Sequence, residues 1–106
     1  MDIRRGRLED PAGAPAIGER FLELVSLPSA TIQQILSGRL AEPAFFEQAH
    51  DEWVALLAGA ARMLVGGEEL DLKAGDWLLI PAGCTHTVLE TQPGSSWLAM
   101  HLTGRS

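Results

Sequence analysis

Imidazoles are scarce in this chain, and each of its three histidines stands beside a feature that could put it to work. His86 closes the run Gly75-Asp76-Trp77-Leu78-Leu79-Ile80-Pro81-Ala82-Gly83-Cys84-Thr85-His86. That run is a glycine turn, an apolar strand and a proline-glycine corner, and it delivers one candidate metal ligand. A later turn at Pro93-Gly94 decides where His101 falls. A loop with an even number of residues sets His86 opposite His101 on one face, whereas an odd number moves His101 to the other face. His50 lies two residues before Glu52, and positions i and i+2 of a strand share a face. The neighbouring Asp51 and Glu52 also suit a solvated turn, which would make His50 a rim residue. Glu52 beside a buried imidazole could act as a general acid or base, or serve only as an acceptor for imidazole N–H groups. Cys84, the single cysteine, would need an adjacent positive charge or metal to act as a thiolate. None adjoins it, so it reads as a small corner residue.

The elements that must position these groups are short. From Phe21 onward, segments of four to eight residues are punctuated by Gly, Pro and Ser, the pattern of an all-β domain. The expected strands are Arg20 to Ser26, Thr31 to Ser37, Ala44 to Ala49, Trp53 to Ala58, Ala60 to Val65, Glu69 to Lys73, Asp76 to Ile80, Thr85 to Thr91 and Ser96 to Leu102. Short strands without a long helix predict a sandwich or barrel. Gly66-Gly67 reads as a two-residue hairpin turn, because glycine accepts positive φ there. Its register sets Val65 against Glu68, Met63 against Leu70, Arg62 against Asp71 and Ala61 against Leu72. Met63, Leu70 and Leu72 then share one face, and the other carries an opposite-charge pair. Residues 1–19, with Pro11-Ala12-Gly13-Ala14-Pro15-Ala16 and no apolar periodicity, read as an irregular N-terminal arm. Residues 20–106 read as one domain.

Composition narrows the function classes. At 106 residues the chain has room for one modest core, and 46% hydrophobic with 21% charged residues suits a globular domain. A net charge of −6 disfavours nucleic-acid partners, which draw on basic faces. No apolar run approaches the roughly 20 residues that span a bilayer. Arg4, Arg5 and Arg7 precede no apolar segment, so the N-terminus does not read as a secretory signal. The expectation is a cytoplasmic protein with no membrane partner. A lone cysteine makes no internal disulfide and no CxxC zinc site.

The Gly75 to His86 segment resembles the second motif of the cupin superfamily: glycine, five residues, Pro-x-Gly, two residues, His. The family's usual Asn four residues later is Glu90 here. Glu52-Trp53-Val54-Ala55-Leu56-Leu57-Ala58-Gly59 is similar to the end of the first motif, and the short gap to Gly75 suits the small stand-alone microbial cupins. The resemblance covers roughly residues 44–102. It implies an antiparallel β-barrel of the jelly-roll type, also described as a double-stranded β-helix. In the family pattern two histidines lie six and four residues before the glutamate, and here those positions are Phe46 and Gln48.

Such a barrel would bring Glu52, His86 and His101, or alternatively His50, into one cavity. Two imidazoles and a carboxylate are the facial-triad donors of Fe(II), and Mn, Zn or Ni suit nearly the same set. Gln48 could add a carbonyl oxygen. The expected metal residues are therefore Glu52, His86 and His101, with Gln48 and His50 as further donors. Against this stands a core-histidine reading, which the loss of two family ligands favours. Phe46 would make the cavity drier and suited to an apolar small molecule. Trp53, Trp77 and Trp97 read as core or rim packing. Three functions stay open: a divalent-metal cupin enzyme acting on a small organic acid, a metal-free barrel that senses or carries a small ligand, and a homodimeric interaction module without catalysis.

Overall fold

The computed structural model describes residues 2–104. Nine strands follow a short 3-10 turn at Pro11–Gly13: β1 (Glu19–Ser26), β2 (Thr31–Ser37), β3 (Ala44–Phe46), β4 (Asp51–Ala58), β5 (Ala60–Val65), β6 (Glu68–Lys73), β7 (Trp77–Ile80), β8 (His86–Thr91) and β9 (Ser95–Leu102). They form two antiparallel sheets. One runs β1-β2-β9-β4-β7 and the other β3-β8-β5-β6. Among the described residues no helix is long and apolar enough to cross a membrane.

Period-two alternation explains what lies between the sheets. Along β4, Glu52, Val54 and Leu56 are buried while their neighbours are not. Ala61, Met63, Leu72, Ile80, Val88, Trp97 and Ala99 join Val54 and Leu56 in one core. The β5–β6 hairpin has the register the sequence predicts, from Val65 opposite Glu68 to Ala61 opposite Leu72. Gly66 and Gly67 take φ of 55° and 88°, the left-handed region that such a turn demands. At the β4–β5 corner Gly59 has φ 89°, and a Cβ there would collide with Ser95.

The Pro93-Gly94 turn departs from expectation. It does not close a hairpin, because β8 belongs to the four-stranded sheet and β9 to the five-stranded one. Gln92 N–H bonds Ala60 and Gly94 N–H bonds Ser37, so the turn is anchored to two other segments as it crosses between sheets. His86 therefore has Phe46 and Val65 as register partners, and His101 has Thr31 and Glu52. The third strand is also shorter than expected, ending at Phe46.

The arm is tied to the outer face of β2. Asp10 caps the 3-10 turn by accepting from the Ala12 N–H at 2.8 Å. The Gln34 amide accepts from Glu9 N–H and donates to Glu9 O, each at 2.9 Å. This pairing satisfies a side chain that points away from the core and is nevertheless buried.

Candidate functional site

The inward faces of the two sheets meet at Glu52. Glu52 arrives on β4 with Ile80 of β7 on one side and His101 of β9 on the other. His86 opens β8 in the facing sheet, with Cys84 and Thr85 between it and the corner Pro81-Ala82-Gly83. Both are nearly inaccessible, Glu52 at 7% and His86 at 4% exposure. Burying charge at this depth requires partners, and each has them.

Glu52 Oε1 accepts from Gln48 Nε2 at 2.6 Å and lies 3.3 Å from His86 Nε2. Its Oε2 lies 3.8 Å from His101 Nε2. The other nitrogen of His86, Nδ1, sits 3.3 Å from the carbonyl of Cys84, which can only accept. Both ring nitrogens of His86 thus face acceptors, the arrangement of an imidazolium. The hydrogen bond to Glu52 pushes the His86 pKa up, against a smaller effect of burial. Burial pushes Glu52 up, but hydrogen bonds from His86 and Gln48 and the nearby charges of His101 and His86 outweigh it and hold the carboxyl below its ordinary value.

His101 is set the other way. Burial is the largest influence and lowers its pKa; repulsion from His50 and His86 adds to this, and Glu52 opposes it. Its Nε2 lies 2.9 Å from the Gln33 amide nitrogen, a donor, so Nε2 carries the lone pair. Its Nδ1 then donates to His50 Nε2 at 2.9 Å. Two imidazoles on one carboxylate thus have their pKa values pushed in opposite directions.

Around this group lies a cavity of about 60 Å³. Its walls are Phe21 and Ile35 from the first two strands, Phe46, Val54, Met63, Ile80, Val88 and Trp97, with Glu19, Gln33 and Gln48 as polar members. Phe46 stacks on His86 with ring centroids 5.5 Å apart and planes 20° apart. Phe45 turns outward, so only Phe46 contributes to the pocket.

Each expected site residue can now be placed. Glu52, His86 and His101 line one pocket, although the histidines meet across the sandwich rather than across a hairpin. Gln48 joins them, presenting its N–H group to Glu52 rather than its carbonyl. His50 lies in the bend before β4 and faces His101 alone. Cys84 lies in the turn before β8, packed against the core edge. Gln33 and Glu19 belong to the site but carry no motif. Gln33 carries no distinguishing signal in the sequence, because Thr31, Gln34 and Ser37 of the same strand are polar as well.

The donor types of Glu52, His86 and His101 fit a divalent cation. In the arrangement seen, however, they are satisfied by one another and by Gln33, Gln48 and His50. Among the described residues no buried side-chain N or O lacks a partner, and no group of three or more His, Cys, Asp or Glu side chains is gathered as a metal site.

Two antiparallel sheets closed around an inward-facing carboxylate and imidazoles define a small β-barrel with an internal ligand-sized pocket. The cupin domain matches residues 31–99, and the chain belongs to that family. Among solved structures it is similar to a "putative mannose-6-phosphate isomerase" of Ralstonia eutropha JMP134, at 30% identity and TM-score 0.78, over 93% of this chain and 100% of that one. An RmlC-like cupin of Shewanella frigidimarina NCIMB 400 is 19% identical with TM-score 0.72, covering 84% of this chain and 79% of that one. The Streptomyces nucleoside dehydratase Pac13 is 14% identical with TM-score 0.68, covering 84% and 72%. The last two show a common fold. A search among curated proteins finds no match. The chain is thus a small cupin domain without an assigned specific activity.

Proposed function

We propose that the pocket binds a small organic molecule and moves a proton on it, with His86 as the acid, His101 as the base and Glu52 holding both. The observation that supports this most is geometric: imidazoles from opposite sheets flank one buried carboxylate at 3.3 and 3.8 Å. Neighbouring titratable groups driven in opposite directions are the arrangement from which acid and base roles emerge. His86 has a proton to give from Nε2, and His101 Nε2 can take one when a ligand displaces the Gln33 amide from its lone pair. Apolar walls keep water from competing for those protons. The test is a library of small polar molecules screened by NMR of the nitrogen-15-labelled imidazoles. A ligand that moves the His86 and His101 signals together, and loses this effect in Glu52→Gln, supports the reading. Binding that leaves both imidazoles unmoved would overturn it.

A second reading is carried by the same convergence of donor types. Glu52, His86 and His101 would hold a divalent cation such as Fe, Mn, Zn or Ni, with Gln48 and His50 as further donors. Such a cation would supply a Lewis acid. Elemental analysis of protein purified without chelator separates the two readings. Stoichiometric metal that disappears in Glu52→Gln and His86→Ala favours the cation, and metal-free protein that still binds ligands favours the acid–base pocket.

A further inference from the structure

The charge inside the pocket is not balanced, and this bears on what it takes. Glu52 is answered by His86 and by the Gln48 amide. Glu19, at the start of β1, also lines the cavity, and among the described residues no Lys or Arg forms an ion pair with it. Its position is nevertheless fixed. Trp97 Nε1 can only donate, and it donates to Ser37 Oγ at 3.1 Å. The Ser37 hydroxyl, fully buried opposite Glu19 in the β1–β2 ladder, passes its own hydrogen to Glu19 Oε2 at 2.6 Å. A buried indole and hydroxyl thereby hold one carboxylate oxygen of a half-buried group, which lines the cavity with Phe21, Ile35 and Phe46 and also borders the open groove beside Leu40 and Ala44.

We propose that the ligand of this pocket is a small organic cation, an alkylamine whose ammonium meets Glu19 while its hydrocarbon body lies against Phe21, Ile35 and Phe46. This rests on the reading of the cavity as a ligand site and names the class it takes. The carboxylate supplies a charge-assisted acceptor, and aromatic faces attract the cation as well as its alkyl part. The cavity is open on one side and holds about four to six water-sized atoms, which sets the scale of the buried portion. A phosphate or carboxylate ligand meets the opposite field. No Lys or Arg lines the cavity, and two carboxylates do. The pocket is therefore unsuited to a sugar phosphate, in contrast to the isomerase description attached to the Ralstonia relative.

Butylamine, butanol and butyrate share a carbon chain and differ in charge, so they isolate this inference. Titrated into the full chain at neutral pH and followed by NMR, butylamine should bind about tenfold more tightly than butanol, the scale of one charge-assisted hydrogen bond. Butyrate should be weakest. Glu19→Gln keeps an acceptor for Ser37 and removes the charge, so it should bring butylamine down to butanol, whereas Glu69→Gln on the outer face should change nothing. Equal binding of amine and alcohol, tightest binding of butyrate, or an amine preference that survives Glu19→Gln would overturn the proposal. If butanol or butyrate binds and shifts His86 while the amine preference is missing, the ligand-site reading stands and the cation fails. If none of the three shifts a lining residue, both fall.

Discussion

The inner face of the five-stranded sheet changes character along its length. On β4 the inward residues run Glu52, Val54, Leu56, and on β9 they run His101, Ala99, Trp97. The end at Glu52 is polar, and His86 and Gln48 complete it. The other end of β4 is dry, where Leu56 joins Ala61 and Leu72 in the core, while Trp97 beside it on β9 donates to Ser37. The same alternation builds both ends. At Leu56 the strand contributes burial, which is non-directional and proportional to area. At Glu52 it contributes a hydrogen-bonded charge, whose gain largely offsets the cost of removing it from water. Stability is therefore expected to reside at the dry end and chemistry at the polar one.

Substitutions that separate the two ends test this division. The largest effect is expected for Leu56→Ala, about 3 kcal/mol lost in denaturant unfolding, because a 1% exposed leucine leaves a cavity. The His86 and His101 imidazole signals should stay in place. Glu52→Gln should cost less, about 1 to 2 kcal/mol, yet displace both signals. If Leu56→Ala moves the imidazoles as much as Glu52→Gln does, the two ends are not separable.

The pH dependence of stability sharpens the contrast further. Glu52 is held below its ordinary 4.5, so its contribution is present above 4.5 and lost as pH falls through the lowered folded value. His86 is raised above 6.5, so its contribution is present below 6.5 and lost as pH rises through the raised value. The pair acts fully between 4.5 and 6.5. His101, lowered from 6.5, works against His86 on the acid side, because its neutral folded form disfavours protonation. Melting temperatures measured from below 4.5 to above 6.5 should show both limbs in the wild type, and Glu52→Gln should flatten them. In Leu56→Ala the curve should drop with its shape intact. The smallest effect is expected for His50→Gln, below about 1 kcal/mol, since it removes one half-buried hydrogen bond. Its signature is a change confined to His101, and a matching displacement of His86 would show that the two imidazoles are coupled more tightly than described.

How much of this could be read in the chain varies by element. The Gly66-Gly67 hairpin was legible pair by pair, because a two-residue turn fixes register locally. That His86 and Glu52 would line one cavity was legible through their motif spacing. The partner of His86 was not: reading Pro93-Gly94 as a hairpin put His101 beside it in one ladder, whereas the turn carries the chain to the opposite sheet. The true ladder neighbour of His101 is Glu52, nearly fifty positions away along the chain. Gln33 and Glu19 carry no motif, and their place in the pocket follows from pairing β2 with β9 and β1 with β2.

The sequence by itself determined the positions of most strands and one hairpin register. Each of these depends on side-chain alternation or turn chemistry within a few residues. Which imidazole has its pKa raised and which has it lowered was decided only by the tertiary structure. That outcome depends on the carbonyl of Cys84, the amide of Gln33 and the shared Glu52 carboxylate, groups that only the closure of two sheets brings within hydrogen-bonding distance of the same two rings.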